Sequence, residues 1–192
     1  MLKVVVFFGL IAGSFAVNYI TGSCPNVTPM SPVDLNEIAG DWWSLLRDDH
    51  SWDLDATCIL DHFEPPVNGV IRAVASSISI STNILSVMES NVTLTEDNIL
   101  RFSHHRPAWG DSEQYQIVLD SVPDTYAIVY SCKNYRTTYV ERFWVFGRNS
   151  NQSGYFTNEN YLMQVLDNYG LKYPNWVKVN NENCYCSTQR EA

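Results

Sequence analysis

Tyr126-Ala127-Ile128-Val129-Tyr130-Ser131-Cys132 is a run of aromatic and β-branched residues between two turn signals, Pro123-Asp124 before it and Lys133-Asn134 after it. Such a run reads as a strand. Similar runs lie on both sides of it, near 139–147 downstream and near 113–120, 98–104, 84–94, 69–80, 57–64 and 41–48 upstream. Further turn signals separate them: Pro107 to Asp111, Glu96-Asp97-Asn98 and Pro65-Pro66-Val67-Asn68-Gly69. Eight short strands with hairpin-length gaps point to an up-and-down barrel or a sandwich. They do not alternate with helices, which argues against a βαβ fold.

Helical signals flank this array. Leu35, Ile38 and Gly40 predict a single turn before the first strand. After the last, Tyr161, Leu162, Val165, Leu166 and Tyr169 make one apolar stripe at helical spacing. Thr157 or Asn158 can cap that helix, and Gly170 can supply a left-handed C-cap. The stripe predicts packing against the outside of the sheet. A short strand is expected near 175–179.

The N-terminus predicts secretion. Lys3 precedes an apolar run from Val4 to Ala12, and Ser14-Phe15-Ala16 is a small-x-small cleavage site. The run is too short to span a bilayer and has the flanks of a signal peptide. Residues 1–16 are therefore expected to be a cleaved leader and 17–192 a single domain. Aromatic residues make up 13% of the chain, enough for a large core. A net charge of −9 argues against nucleic acid and anionic membrane surfaces as partners. The five cysteines, Cys24, Cys58, Cys132, Cys184 and Cys186, should pair in an oxidising compartment as two bridges and one leftover thiol. That thiol could link two chains, react with a ligand, or sit buried or capped. Asn26, Asn91 and Asn151 head N-glycosylation sequons, which would put them at the surface.

Three stretches carry a family resemblance. Asn36-Glu37-Ile38-Ala39-Gly40-Asp41-Trp42-Trp43 resembles the first signature of the lipocalins, with its Gly-x-Trp core. Tyr126 to Cys132 resembles the second, and Trp144-Val145-Phe146-Gly147-Arg148 resembles the third, which ends in Arg. Together with the late helix and the cysteine layout, the set is similar to apolipoprotein D, insect bilin-binding proteins and crustacyanins. The resemblance implies an all-β fold: an eight-stranded up-and-down antiparallel barrel with one C-terminal α-helix packed outside. It implies that Trp42 plugs the closed end under Arg148, with Gly40 allowing the close approach. It also implies a Cys24–Cys132 bridge and a bridge from Cys58 to Cys184 or Cys186, with Cys186 the favoured partner. Two departures stand out. Ser121-Val122-Pro123 replaces the expected Thr-Asp-Tyr turn, and Trp43 stands where Tyr is commoner.

A barrel of eight strands has room for one small ligand, and alternation decides which residues face it. Parity from Trp42 selects Ser44 and Leu46; parity from Arg148 selects Phe146, Trp144 and Arg142. The resemblance adds Ala127 and Val129, and Gln116 and Val118 are candidates on the sixth strand. Arg142 inside a barrel would favour a ligand with a carboxylate; its alternative is a solvent-exposed Arg paired with Glu141. Of His104-His105, one could bind a haem iron or a bilin, or both could be exposed hairpin residues. Catalytic signatures such as Gly-x-Ser-x-Gly, His-Glu-x-x-His or a Walker loop are absent from the sequence. The expectation is an extracellular, non-enzymatic carrier of a bilin, retinoid, fatty acid, sterol or carotenoid. No cofactor is required, a hydrophobic chromophore such as a bilin is a candidate occupant, and a homo-oligomer is compatible with the odd cysteine. The alternatives are an isomerase working through a free cavity thiol and a surface-interaction or pigment oligomer subunit.

Overall fold

Alternating apolar runs close on themselves in the computed structural model, which describes residues 18–29, 32–106, 110–151 and 159–184. The expected leader, the helix caps Thr157 and Asn158, and Cys186 lie outside those residues. Eight long antiparallel strands follow one another in sequence: β2 (Gly40–Asp48), β3 (Ala56–Phe63), β4 (Ile71–Ser79), β5 (Leu85–Leu94), β6 (Leu100–Arg106), β7 (Gly110–Val122), β8 (Tyr126–Tyr135) and β9 (Thr138–Gly147). Each pairs with the next, and β9 pairs back onto β2, closing the barrel. Closure leaves the eight strands no free edge to recruit another chain. Two short strands extend the sheet: β10 (Trp176–Lys178) on β2, the short strand expected near 175–179, and β1 (Ile20–Thr21) on β9, which the sequence reading did not include.

The single turn α1 (Leu35–Ile38) forms where expected, with the Asp34 side chain accepting from the Asn36 backbone N–H. The longer helix α2 (Glu159–Asn168) buries Leu162, Val165 and Leu166. They pack against the outer face of the barrel on Leu45, Leu119, Ile128, Tyr130 and Val145. Tyr161 is at the margin of that stripe: its hydroxyl reaches the Asp120 carboxylate and the Tyr126 hydroxyl. Gly170 adopts φ +64° and the Leu171 N–H returns to the Leu166 carbonyl, a left-handed C-cap.

Two disulfides tie the ends down. Cys24–Cys132 joins the N-terminal segment to β8, as expected. Cys58 is bonded to Cys184, which corrects the choice of Cys186. The reason is local anchoring. The Asn180 carbonyl accepts the Cys58 N–H, and the Asn181 amide oxygen accepts the Ile59 N–H. The chain then turns at Asn183, φ +57°, bringing Cys184 back over β3.

Candidate ligand cavity

The barrel interior is filled at one end and hollow at the other. At the filled end Trp42 packs with Phe63, Ile71, Val92, Leu100, Phe102 and Val118. Arg148 lies across the Trp42 ring at 3.7 Å, a cation–π contact. Its guanidinium donates to the carbonyls of Pro123 (2.7 Å), Ala39 (2.9 Å) and Glu37 (2.7 Å), and the Trp42 indole N–H donates to Ile38 (2.7 Å). Gly40 has φ +100°, and a Cβ there would meet an Arg148 nitrogen at 3.1 Å. The positive φ calls for glycine there, and a Cβ would also press on the guanidinium.

Above this floor is a cavity of about 1180 Å³. It is larger than the ~300–1,000 Å³ of most small-molecule sites. At its mouth are the β2–β3 loop, with Trp52 and Asp53, and the ends of β4, β5, β6 and β7 that carry Ser77, Ser86, His105 and Asp111. Residues that face one another across strand pairs share a face, so the register fixes the wall. Ser44 opposes Phe146, Ala75 opposes Asp61 and Met88, and Ser90 opposes Ala73 and His104. All line the cavity, with Ile59, Phe63, Phe102, Gln114, Gln116 and Trp144. These residues make a wall that is aromatic and aliphatic with a scatter of hydroxyls, two amides, the His104 imidazole and the Asp61 carboxylate, and Asp53 adds a second carboxylate near the mouth. Trp52, largely exposed, stands at the mouth.

Bulges decide which parity predictions hold. Gln116, Trp144 and Phe146 face the cavity as expected, and so does Ser44. Leu46 does not: the β2–β9 register slips between Ser44 and Leu46. Leu45 and Leu46 then both pack outward with the α2 cluster, and Arg47, opposite Trp144, takes the inward position. Val118 and Ala127 are on the inner face but belong to the filled end, packed against the Trp42 cluster below the hollow. Val129 opposes both Val118 and Trp144 and is buried without reaching the cavity wall. Arg142 opposes Ser131 on the same face and is buried, but its guanidinium donates to the Glu141 carbonyl (2.6 Å) and does not line the cavity. It is neither a carboxylate anchor nor an exposed residue.

The buried cation that sequence parity missed is Arg47. It donates to the carbonyls of Asp53, Leu54 and Ala56 and sits 3.7 Å from the Asp53 carboxylate, so it holds the β2–β3 loop. The second omission is Asp61. Its carboxyl is deep in the barrel, and its pKa is pushed up to about 7 by desolvation and then by the nearby Asp53 charge. A lone carboxylate inside Cys58-Ile59-Leu60-Asp61-His62-Phe63, in step with Phe63, was the available signal. His104 overturns the hairpin reading: it is buried, lines the cavity and shares a 2.6 Å hydrogen bond with the Ser90 hydroxyl. His105 is exposed and bonds Asp111 at 2.7 Å. Among the described residues no group of three or more His, Cys, Asp or Glu side chains is placed to hold a metal ion. The four described cysteines are all bridged, so none offers a thiol to the cavity.

Comparison with known proteins gives a consistent picture. No family model matches the sequence. The chain is similar to apolipoprotein D of Cavia porcellus, 24% identical over 183 residues, with 92% of each chain covered. Among solved structures it is similar to lobster apocrustacyanin A1 (TM-score 0.69, 16% identity, covering 91% of this chain and 97% of that one). It is also similar to insecticyanin from the tobacco hornworm Manduca sexta (TM-score 0.73, 15% identity, covering 86% and 89%). The fold is the lipocalin fold. The apolipoprotein D likeness and these structural neighbours all point to the lipocalin family.

The lipocalin barrel here accommodates its departures locally. In the divergent turn the Thr125 N–H donates to the Val122 carbonyl and the Arg148 N–H to the Thr125 carbonyl. The Pro123 carbonyl accepts from Arg148, so the residue that breaks the lipocalin motif is tied directly to the plug. Trp43 faces out, packed beside the α2 cluster, where a bulkier ring than Tyr finds room.

Proposed function

We propose that the chain is an exported carrier that binds one small, largely hydrophobic molecule in the barrel. A bilin, retinoid, fatty acid, sterol or carotenoid is the expected class. The observation that carries this reading is the open-mouthed cavity of about 1180 Å³ above the Trp42 floor, walled by Phe102, Phe146, Trp144 and Ile59. Binding there would be driven by burial of apolar ligand surface, at ~25 cal/mol per Å². Export is supported by the leader-like residues 1–16 and by two long-range disulfides, which persist in oxidising compartments. Asn26, Asn91 and Asn151 have exposed side chains, as glycan acceptors require; Asn91 lies within β5 rather than in a loop. Among the described residues no helix is long and apolar enough to cross a membrane.

Tryptophan fluorescence tests the reading. Trp144 in the wall and Trp52 at the mouth should be quenched by titration with at least one member of that ligand class, at one molecule per chain. Absence of quenching by every class, together with native protein that carries no extractable ligand, refutes it.

A further inference from the structure

The cavity that the carrier reading depends on carries a charge pattern of its own. Two carboxylates, those of Asp53 and Asp61, lie at its inner wall, while Glu89, Asp111 and Glu113 border it from largely exposed positions out of phase with the inner residues Ser90 and His104, as does the Arg72 guanidinium. Arg72 is already held by Glu64 at 2.6 Å and Glu89 at 2.8 Å. Arg47 is spent on the β2–β3 loop and on Asp53, and the Asp53 carboxylate also accepts from the Ser51 hydroxyl. Asp61 is different. It opposes Trp42 and Ala75 on the inner face, and among the described residues nothing donates a hydrogen bond to it. One inward position along β2, the Ser44 hydroxyl lines the same cavity, is 1% exposed, and has no hydrogen-bond partner. A half-buried carboxylate that no protein group satisfies and a fully buried hydroxyl without a partner are each costly. Here they sit together, directed into a hollow that an apolar molecule would otherwise fill.

We propose that this pair is a headgroup site for a protonated amine: a ligand with an apolar body and a primary ammonium group, its N–H donors shared between the Asp61 carboxylate and the Ser44 oxygen. The body packs on Phe102, Ile59, Phe146 and Trp144. A charge-assisted pair of this kind satisfies both orphaned groups and offsets the isolated negative charge. The exposed carboxylates of Glu89, Asp111 and Glu113 around the opening draw cations toward it. The specificity is the reverse of the carboxylate-bearing ligand that Arg142 implied from sequence. The charged group that bears on Asp61 is Asp53 of the β2–β3 loop, and the titratable His104 lines the same cavity from β6; His62, beside Asp61 on β3, points outward to Asp41 at 2.5 Å.

This inference rests on the carrier reading, and three ligands of equal length separate the two: octylamine, 1-octanol and octanoate, titrated by calorimetry into the intact protein. At pH 8 octylamine should bind at least tenfold more tightly than 1-octanol, and octanoate most weakly. Asp61→Asn should abolish the amine preference, so that octylamine and 1-octanol bind the variant with affinities within twofold of each other. In the unaltered protein the preference should shrink from pH 8 to pH 5, where octylamine stays charged while Asp61 gains a proton. That titration needs no variant to fold. Equal binding of amine and alcohol, a preference for octanoate, or an amine preference that survives Asp61→Asn or stays constant with pH overturns the amine site and leaves the carrier reading standing. Failure of all three to bind overturns both.

Discussion

Replacing Asp61 with Asn should stabilise the empty barrel, and by an amount that depends on pH. In the unfolded chain Asp61 titrates near 3.8; in the folded barrel it titrates at about 7, first because it is desolvated and second because Asp53 is close. Between those values the native state holds a proton that the unfolded chain has released, so stability falls as pH rises through this window. The gap corresponds to about 4 kcal/mol at 1.36 kcal/mol per pH unit. Asp61 is shut away from bulk solvent but its side chain retains part of its surface open to the cavity, so this is an upper figure. Asn cannot ionise. The stability difference, Asp61→Asn minus the original protein, should be near zero at pH 4 and rise steadily to about 2–4 kcal/mol at pH 8. Asp48 and Glu141, whose pKa values burial also raises, titrate alike in both proteins and cancel from the difference. Urea unfolding monitored by tryptophan fluorescence at each half pH unit measures it. A difference that is flat from pH 4 to pH 8, or that declines, refutes the placement of an isolated carboxylate inside the barrel.

Two further expectations concern the frame around the cavity. Cys184→Ser should cost about 5 kcal/mol in the chain-entropy account of so long a loop. Non-reducing peptide mapping should recover Cys58 joined to Cys184, and a Cys58–Cys186 peptide would contradict the structure. Arg148→Lys keeps the charge yet loses the planar fork that spans Trp42 and the backbone carbonyls of Glu37, Ala39, Asp41 and Pro123, so it should lower stability by roughly 2–4 kcal/mol in denaturant titrations. An effect below 0.5 kcal/mol would mean that the plug stands without its clamp.

The barrel was readable because strands, turns and the α2 stripe each leave a local trace. Pro123-Asp124 and Lys133-Asn134 bracket β8, and the stripe from Leu162 to Leu166 faces the sheet as its spacing requires. The cavity was readable only as far as alternation stays in phase. Phe146 and Trp144 follow from Arg148 along an unbulged strand, whereas Leu46 fails because Leu45 is an extra residue in β2. A bulge costs a few backbone bonds that nearby groups can satisfy, and composition gives no sign of it. Val118 and Ala127 fail for another reason: alternation gives the face but not the height, and at their level the interior is packed solid. Asp61 was missed because an acid in a strand is ordinarily taken for its solvent side.

The two disulfides interlace, since Cys58 lies between Cys24 and Cys132, and Cys132 between Cys58 and Cys184. Mechanically this makes the body a three-stranded rope rather than a string. A load applied at the two ends enters at the Cys24–Cys132 knot and leaves at the Cys58–Cys184 knot. Between the knots run three stretches of chain in parallel. The shortest, from Cys24 to Cys58, becomes taut first and caps the extension at on the order of 120 Å. Even with every strand unzipped, the other two stretches would hang slack and free of tension, so the pulled chain could shorten back into a barrel once the load is released.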